Sequence, residues 1–331
     1  MLLNRRSFAA GAAAAALLPL TARRASAAAP VRLVVPFPPG GAVDQAGRLL
    51  AERLGPILDA NVVVENVGGA GGMAGIGQVA KAAPDGTVLG LAPVATLVTN
   101  KYLYSKLPYD PDKDLKALSR VVTGTLLCVV GAERARERGW NSLADLVTWS
   151  KANPEKTFMG SSGIGQSSHL MLELLNKQAG VQIVHVPYRG GGPAITDLLG
   201  GRIDLMFDVI PALMPHVQAG AFVPLAVASA DRIPQLPDVP SMKEQTALNL
   251  GNVDIQSWLA VVVPVATPDD IAARLHAAVV KAATDPEMKR RIEPAGYTVV
   301  TDPSITVLKE HIARENPVWE GIVRISGAKL D

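Results

Sequence analysis

Apolar and polar positions divide the chain into short β-type runs and amphipathic helical stretches. Val31–Val35 is an apolar run of strand length, and Val43–Leu54 repeats apolar residues at helical spacing. Asn61–Glu65 reads as a second strand. The glycine-rich turn Asn66–Gly72 follows it, then a helical stretch to about Ala83, the turn Asp85-Gly86 and a third strand, Thr87–Leu91. Strands alternating with helices over short loops predict a parallel sheet with helices on its faces.

The pattern changes after Leu97. Tyr102–Asp114 is polar and irregular, and Leu118–Val130 returns to β-type residues. A helix is expected over Leu143–Ala152, with Ser142 and Asp145 as a capping box. A second α/β unit follows, with strands at Thr157–Gly160, Val181–Val186, Ile203–Phe207 and Phe222–Ala228. Helices are expected between them at His169–Gln178, from about Pro193, and at Ala212–Ala219. After the long connection Asp231–Asn252 comes an apolar strand, Trp258–Val263. Cap signals at Thr267, Thr284 and Asp302 then predict helices near 269–283, 286–292 and 304–320. These last helices are read as scaffold packing back on the first unit. The second unit is thereby inserted: residues 28–125 and 255–331 form one domain and 126–254 the other.

The first 27 residues stand apart. Arg5-Arg6 precedes the short apolar stretch Ala9–Leu20, and Ala25-Ser26-Ala27 supplies a small-residue cleavage site. This is an export signal, twin-arginine-like or of the general secretory kind, with cleavage expected after Ala27. It carries four arginines and no acid, so its removal takes the formal net charge from +2 to −2. Nothing then asks for nucleic acid or an anionic membrane as partner. Cys128, the single cysteine, lies in an apolar run and is expected as a buried small hydrophobe. A monomer in the periplasm is the expected state.

Four loops carry the candidate chemistry: Phe37–Asp44, Gly68–Gly72, Ser161–Ser168 and Tyr188–Gly192. Each follows a strand and precedes a helix. Backbone N–H groups and the positive end of the helix dipole converge at such junctions and favour an anion. Val35-Pro36-Phe37-x-x-Gly40-Gly41 and Val186-Pro187-Tyr188-x-x-Gly191-Gly192 share one pattern across the two units. Ligands of open α/β sheets bind beyond the carboxyl ends of the strands, so both turns are expected on one cleft. The ligand-binding candidates are Phe37, Pro38, Gly40, Gly41, Ala70, Gly71, Gly72, Thr96, Ser161, Ser162, Ser167, Tyr188, Arg189, Gly190 and Asp208. Asp44 and Asp208 can both reach the cleft, and Asp208 could accept from a ligand hydroxyl or ammonium group.

Rival chemistries find little support. Gly75-Ile76-Gly77-Gln78-Val79-Ala80 fits a loose dinucleotide fingerprint but lies inside a helix, and no phosphate-binding loop with a lysine occurs. The five histidines show no metal-ligand spacing, so neither metal nor cofactor is expected. An exported hydrolase pairing Ser162 or Ser167 with His169 is the catalytic alternative to a plain anion-binding cleft. No motif supports its nucleophile and base.

Six segments in order resemble the Bug family, the extracytoplasmic receptors of tripartite tricarboxylate transporters. They are VVPFPPGG with Asp44, Val64–Gly75, Ala83–Gly86, Ser161–Leu170, His185–Asp208 and Leu236–Glu244. The resemblance implies a type II periplasmic-binding-protein fold, with two α/β domains around a hinged cleft and crossovers near Thr123–Val130 and Gly251–Val261. It also implies a small carboxylate ligand (a di- or tricarboxylate, an amino acid or an aromatic acid) and integral-membrane transporter subunits as partners; a sensor system is the alternative recipient. Phe37–Gly41 and Ala70–Gly72 would hold the ligand carboxylate, while the serine loop, Tyr188–Gly190 and Asp208 would close on it from the second domain.

Overall fold

A computed structural model describes residues 30–328; the expected export signal lies outside them. Ten strands form a single mixed sheet: β1 (Val31–Val35), β2 (Val62–Asn66), β3 (Val88–Pro93), β4 (Leu115–Gly131), β5 (Phe158–Ser161), β6 (Val184–Pro187), β7 (Leu205–Val209), β8 (Phe222–Val227), β9 (Gln256–Pro264) and β10 (Thr298–Val299). The order is β2-β1-β3-β9-β4-β7-β5-β6, with β8 and β10 also paired to β4.

The first unit is parallel where expected. β1 lies between β2 and β3, with Val34 opposite both Glu65 and Gly90. In the second unit β5 lies parallel to β6 and β7. The two units are joined by β4, a 17-residue strand in which Lys116, Ser119, Arg120, Thr123 and Thr125 interrupt the apolar residues ahead of the continuous apolar run Leu126–Val130. Its first part runs antiparallel to β9, from Leu115 opposite Pro264 to Thr125 opposite Gln256. Its last part, from Leu126, lies between β7 and β8. Register shifts near Ala117–Ser119 and Arg120–Val122 mark β-bulges, which bend a strand and increase its twist.

Several elements differ from the sequence expectation in length. The first helix spans Ala42–Leu58 and runs on through Pro56 in its last turn. The helix after the serine loop begins at Ser167, because Ser167 and Ser168 already belong to its first turn. The helix expected from about Pro193 starts at Gly191, and the C-terminal helix continues to Ser326. Leu143–Ala152 and the helices at 269–283 and 286–292 lie where expected, and the Ser142 side chain accepts from the Asp145 N–H. The helix Ala132–Arg138 and strand β10 carry no clear sequence signal.

Two polar ties fix the C-terminal segment to β4. The Arg120 guanidinium and N–H both donate to the Asp302 carboxylate, at 2.8 and 2.9 Å for the closest pairs, and the Asp302 N–H donates to Ser119 Oγ at 2.9 Å. Cys128 is fully buried, and burial pushes its thiol far above the ordinary value. It therefore behaves as core.

Candidate functional site

A cavity opens at the carboxyl ends of β1, β3 and β7, between the two units. It measures about 60 Å³ to the centre of a water molecule, room for a few ordered waters or one small acid. Its walls are mostly apolar: Phe37, Pro38, Pro39, Pro93, Leu126 and Leu259.

The polar part of the lining comes from side chains and from backbone N–H groups at three helix starts. Gly41, Ala42 and Val43 begin the helix Ala42–Leu58. Gln166, Ser167 and Ser168 begin Ser167–Ala179, and Gly190–Pro193 begin Gly191–Leu199. None of the three helices has a side-chain cap. Away from the cavity, Ser142, Asp285 and Ser304 cap their own helices, while Met73–Ala80, Ala132–Arg138, Ile210–Gln218 and Asp269–Ala283 also lack side-chain caps; what distinguishes the three is that they meet. First-turn N–H groups have no partner within a helix, so three sets of donors and three dipole ends converge on one small cavity. Among the described residues, no arginine or lysine lines it.

The loop after β1 is held from behind. Asp44 is buried and accepts from the Gly40 N–H, Arg48 and Asn66, each at 2.9 Å. Burial opposes its charge, but the hydrogen bonds from Arg48, Gly40 and Asn66 outweigh this and keep the carboxyl below its ordinary value. Asn66 Nδ2 also donates to the Phe37 carbonyl at 2.9 Å. Asp44 thus secures the turn from within the protein and does not line the cavity.

The candidate residues divide into three groups. Phe37, Pro38, Gly41, Ser162, Ser167, Gly190 and Asp208 line the cavity. Ala70, Gly71, Gly72, Tyr188 and Arg189 line an adjoining hollow, together with Phe37 and Ser162, so the Phe37 ring separates the two spaces. Gly40, Thr96 and Ser161 line neither. The Gly40 N–H serves Asp44, Thr96 Oγ1 donates to the Pro93 carbonyl at 2.8 Å, and Ser161 Oγ pairs with His185 Nε2 at 2.6 Å. Tyr188 directs its hydroxyl to Asp197 at 2.8 Å.

Sequence reasoning missed four polar lining residues: Gln166, Ser168, Ser257 and Tyr297. Gln166 and Ser168 belong to the serine motif and could have been named from it. Tyr297 had no local signal. It reaches the cavity because β10 pairs Thr298 with Thr123, and Gly124 leaves room for its ring. Gln166 Nε2 donates to the Gly71 carbonyl at 2.8 Å, a bond between the two units.

The Ser–His pairing required by the hydrolase alternative is not assembled. Ser162 Oγ lies 3.0 Å from Ser168 Oγ, while His169 Nδ1 accepts from the Gly165 N–H. The His169 ring stacks on His185 at 4.3 Å. Burial, with His169 adding to it, pushes the His185 imidazole down to about 4.

Asp208 closes the far wall. Burial pushes its carboxyl up to about 7, against the opposing hydrogen bond from the Val209 N–H. Among the described residues, Tyr297 is the only titratable side chain in the lining besides Asp208, and burial raises its hydroxyl far above the ordinary value. The folded chain therefore holds the Asp208 proton more tightly than the unfolded chain does. This contribution favours folding at acid pH and is lost as pH rises from about 4 through about 7. The whole change is about 4 kcal/mol, at about 1.4 kcal/mol per pH unit. Ligand-free Asp208→Asn is expected to melt higher than the parent protein at pH 8, with the advantage vanishing below pH 4. A constant difference between the two melting curves from pH 4 to 8 would refute this.

Comparisons with known proteins bear on the fold and the family. Residues 46–324 match the tripartite tricarboxylate transporter family receptor, TctC. BugT of Bordetella pertussis is 34% identical over 304 residues, covering 92% of this chain and 91% of BugT. The periplasmic binding protein BugD shares the fold with a TM-score of 0.85 at 32% identity, over 91% of this chain and 98% of BugD. MatC from Rhodopseudomonas palustris, solved with bound malate, superposes with a TM-score of 0.82 at 29% identity, over 89% of this chain and 98% of MatC. The fold is thus that of the periplasmic binding proteins, and the chain belongs to the TctC receptor family, the Bug proteins.

Proposed function

We propose that this chain captures a small carboxylate in the cavity between its two units and delivers it to integral-membrane transporter subunits. The observation that carries this reading is the convergence of three uncapped helix N-termini on one apolar-walled cavity that, among the described residues, holds no cationic side chain. A carboxylate supplies the missing caps and meets the dipoles without a salt bridge. The malate bound to MatC is a ligand of this class.

In this reading residues 28–125 and 255–331 form one domain and 126–254 the other. β4 and the segment leading into β9 are the hinge, and closure buries the ligand between the domains. The protein works as a periplasmic monomer after removal of its export signal. Among the described residues no helix is long and apolar enough to cross a membrane. Phe37, Gly41, Ser162, Ser167, Gly190 and Asp208 contact the ligand, and the Ala70–Gly72 turn closes on it from the side.

A thermal-shift screen against carboxylic acids tests the assignment. An acid present at 100 times its dissociation constant is expected to add about 2.7 kcal/mol of stability. A broad acid panel that leaves the melting temperature unmoved, or a bound acid that is chemically converted, would overturn it.

A further inference from the structure

Asp208 poses a problem for a carboxylate site. It is only 7% exposed, and its Oδ1 accepts from the Val209 N–H at 2.7 Å. Its Oδ2 has no donor among the described residues, although the side chain lines the cavity. The same oxygen lies 2.5 Å from the point where a β-carbon on Gly191 would stand. It therefore touches the first turn of Gly191–Leu199, one of the three helix starts that would receive the ligand. A carboxylate seated there would be a close neighbour of a second carboxyl, with no arginine or lysine in the lining to separate them. Two like charges in a dry site are strongly unfavourable unless a proton or a donor lies between them.

The ligand itself can supply that donor. We propose that Asp208 is a specificity-determining residue that accepts an N–H or O–H group standing beside the ligand's helix-bound carboxylate, so that the cavity selects small 2-amino or 2-hydroxy acids over their unsubstituted counterparts. This rests on the carboxylate-receptor reading and adds the chemistry of the neighbouring carbon. The Tyr297 hydroxyl, which shares the cavity with Asp208, offers a further polar contact for the same substituent. Near pH 8 the Asp208 carboxyl is largely ionised, since it titrates at about 7, and it then acts as an acceptor alone.

Calorimetric titration of the purified protein at pH 8 tests the proposal. The probes are two matched series: butanoate, 2-hydroxybutanoate and 2-aminobutanoate, and succinate, malate and aspartate. In at least one series a substituted acid is expected to bind tenfold or more tightly than the unsubstituted one. Asp208→Asn removes the charge and keeps an acceptor; Asp208→Val removes both. A preference for the ammonium group should fall about tenfold in both variants. A preference for the hydroxyl group should persist in Asp208→Asn and fall in Asp208→Val. Unsubstituted acids that bind the parent protein as tightly as substituted ones would overturn the proposal and leave the receptor reading intact. So would a preference that survives both variants. If Asp208→Val does not fold, the parent-protein ratios and Asp208→Asn decide the question. If none of the six acids binds, the proposal falls, and the receptor reading is decided by the broader thermal-shift panel.

Discussion

Gly41→Asp is expected to lower carboxylate affinity at least 100-fold while leaving the fold intact. Gly41 is the N-cap of Ala42–Leu58, with φ −80° and ψ 170°, a conformation open to any residue. A β-carbon there would meet nothing within 4 Å. Aspartate is among the best N-cap residues, because its carboxylate accepts from the first-turn N–H groups. In this protein those are the groups assigned to the ligand. The variant therefore places a permanent anion in the ligand's position. A better cap contributes a few tenths of a kcal/mol, and repulsion from nearby Asp44 offsets part of it. The melting temperature should be almost unchanged while titration with a binding acid shows the loss, about 2.8 kcal/mol at 1.4 kcal/mol per tenfold. Full affinity in a folded Gly41→Asp protein would remove this helix start from the site.

Gly71→Ala is expected to weaken binding 10- to 100-fold by a different route. Gly71 has φ +59°, and an added β-carbon would stand 2.7 Å from the Ile164 carbonyl oxygen on the opposite unit. The backbone conformation alone costs about 1 kcal/mol for alanine. The clash arises only when the units are together, so the variant should favour an open arrangement. Small-angle scattering should show the parent protein contracting with ligand and the variant failing to contract. Gln166→Ala offers a milder comparison, since it removes one hydrogen bond between the units, worth about 1 kcal/mol. If Gly71→Ala contracts and binds normally, the Gly71–Ile164 contact is not part of closure.

The sequence made the architecture legible because each half of the sheet is built from local pieces. Apolar runs of strand length, Asp-Gly and Gly-Gly turns and cap residues such as Ser142 and Asp285 act within a few positions of themselves. Helix starts at the site were harder to place. Ser167 and Gly191 belong to helices whose N-termini lack side-chain caps, so the usual marker was missing at the positions of greatest functional interest. The loop motifs identified the neighbourhood but not which side of Phe37 each residue would occupy. Ala70–Gly72 and Tyr188 lie in the adjoining hollow, and Ser161 is taken up by His185. Tyr297 belongs to the cavity only through the pairing of β10 with β4, a contact across about 175 residues of chain that no local pattern announces.

The same strand sets the order in which the protein can fold. β4 finds β7 and β8 within the next hundred residues, so the second half of the sheet can close on contiguous chain. Its other partners, β9, β10 and Asp302, arrive much later, and the Arg120–Asp302 tie spans 182 positions. Non-local pairings of this length slow folding, because the entropy of closing the loop is lost before the contacts form. The first half therefore completes last. A chain interrupted before residue 255 carries a β4 whose leading part has neither β9 nor β10 beside it, and unpaired strand edges of this kind recruit other chains into aggregates. The strand that joins the two binding walls is thus also the segment most exposed to misassembly until the C-terminal helices reach it.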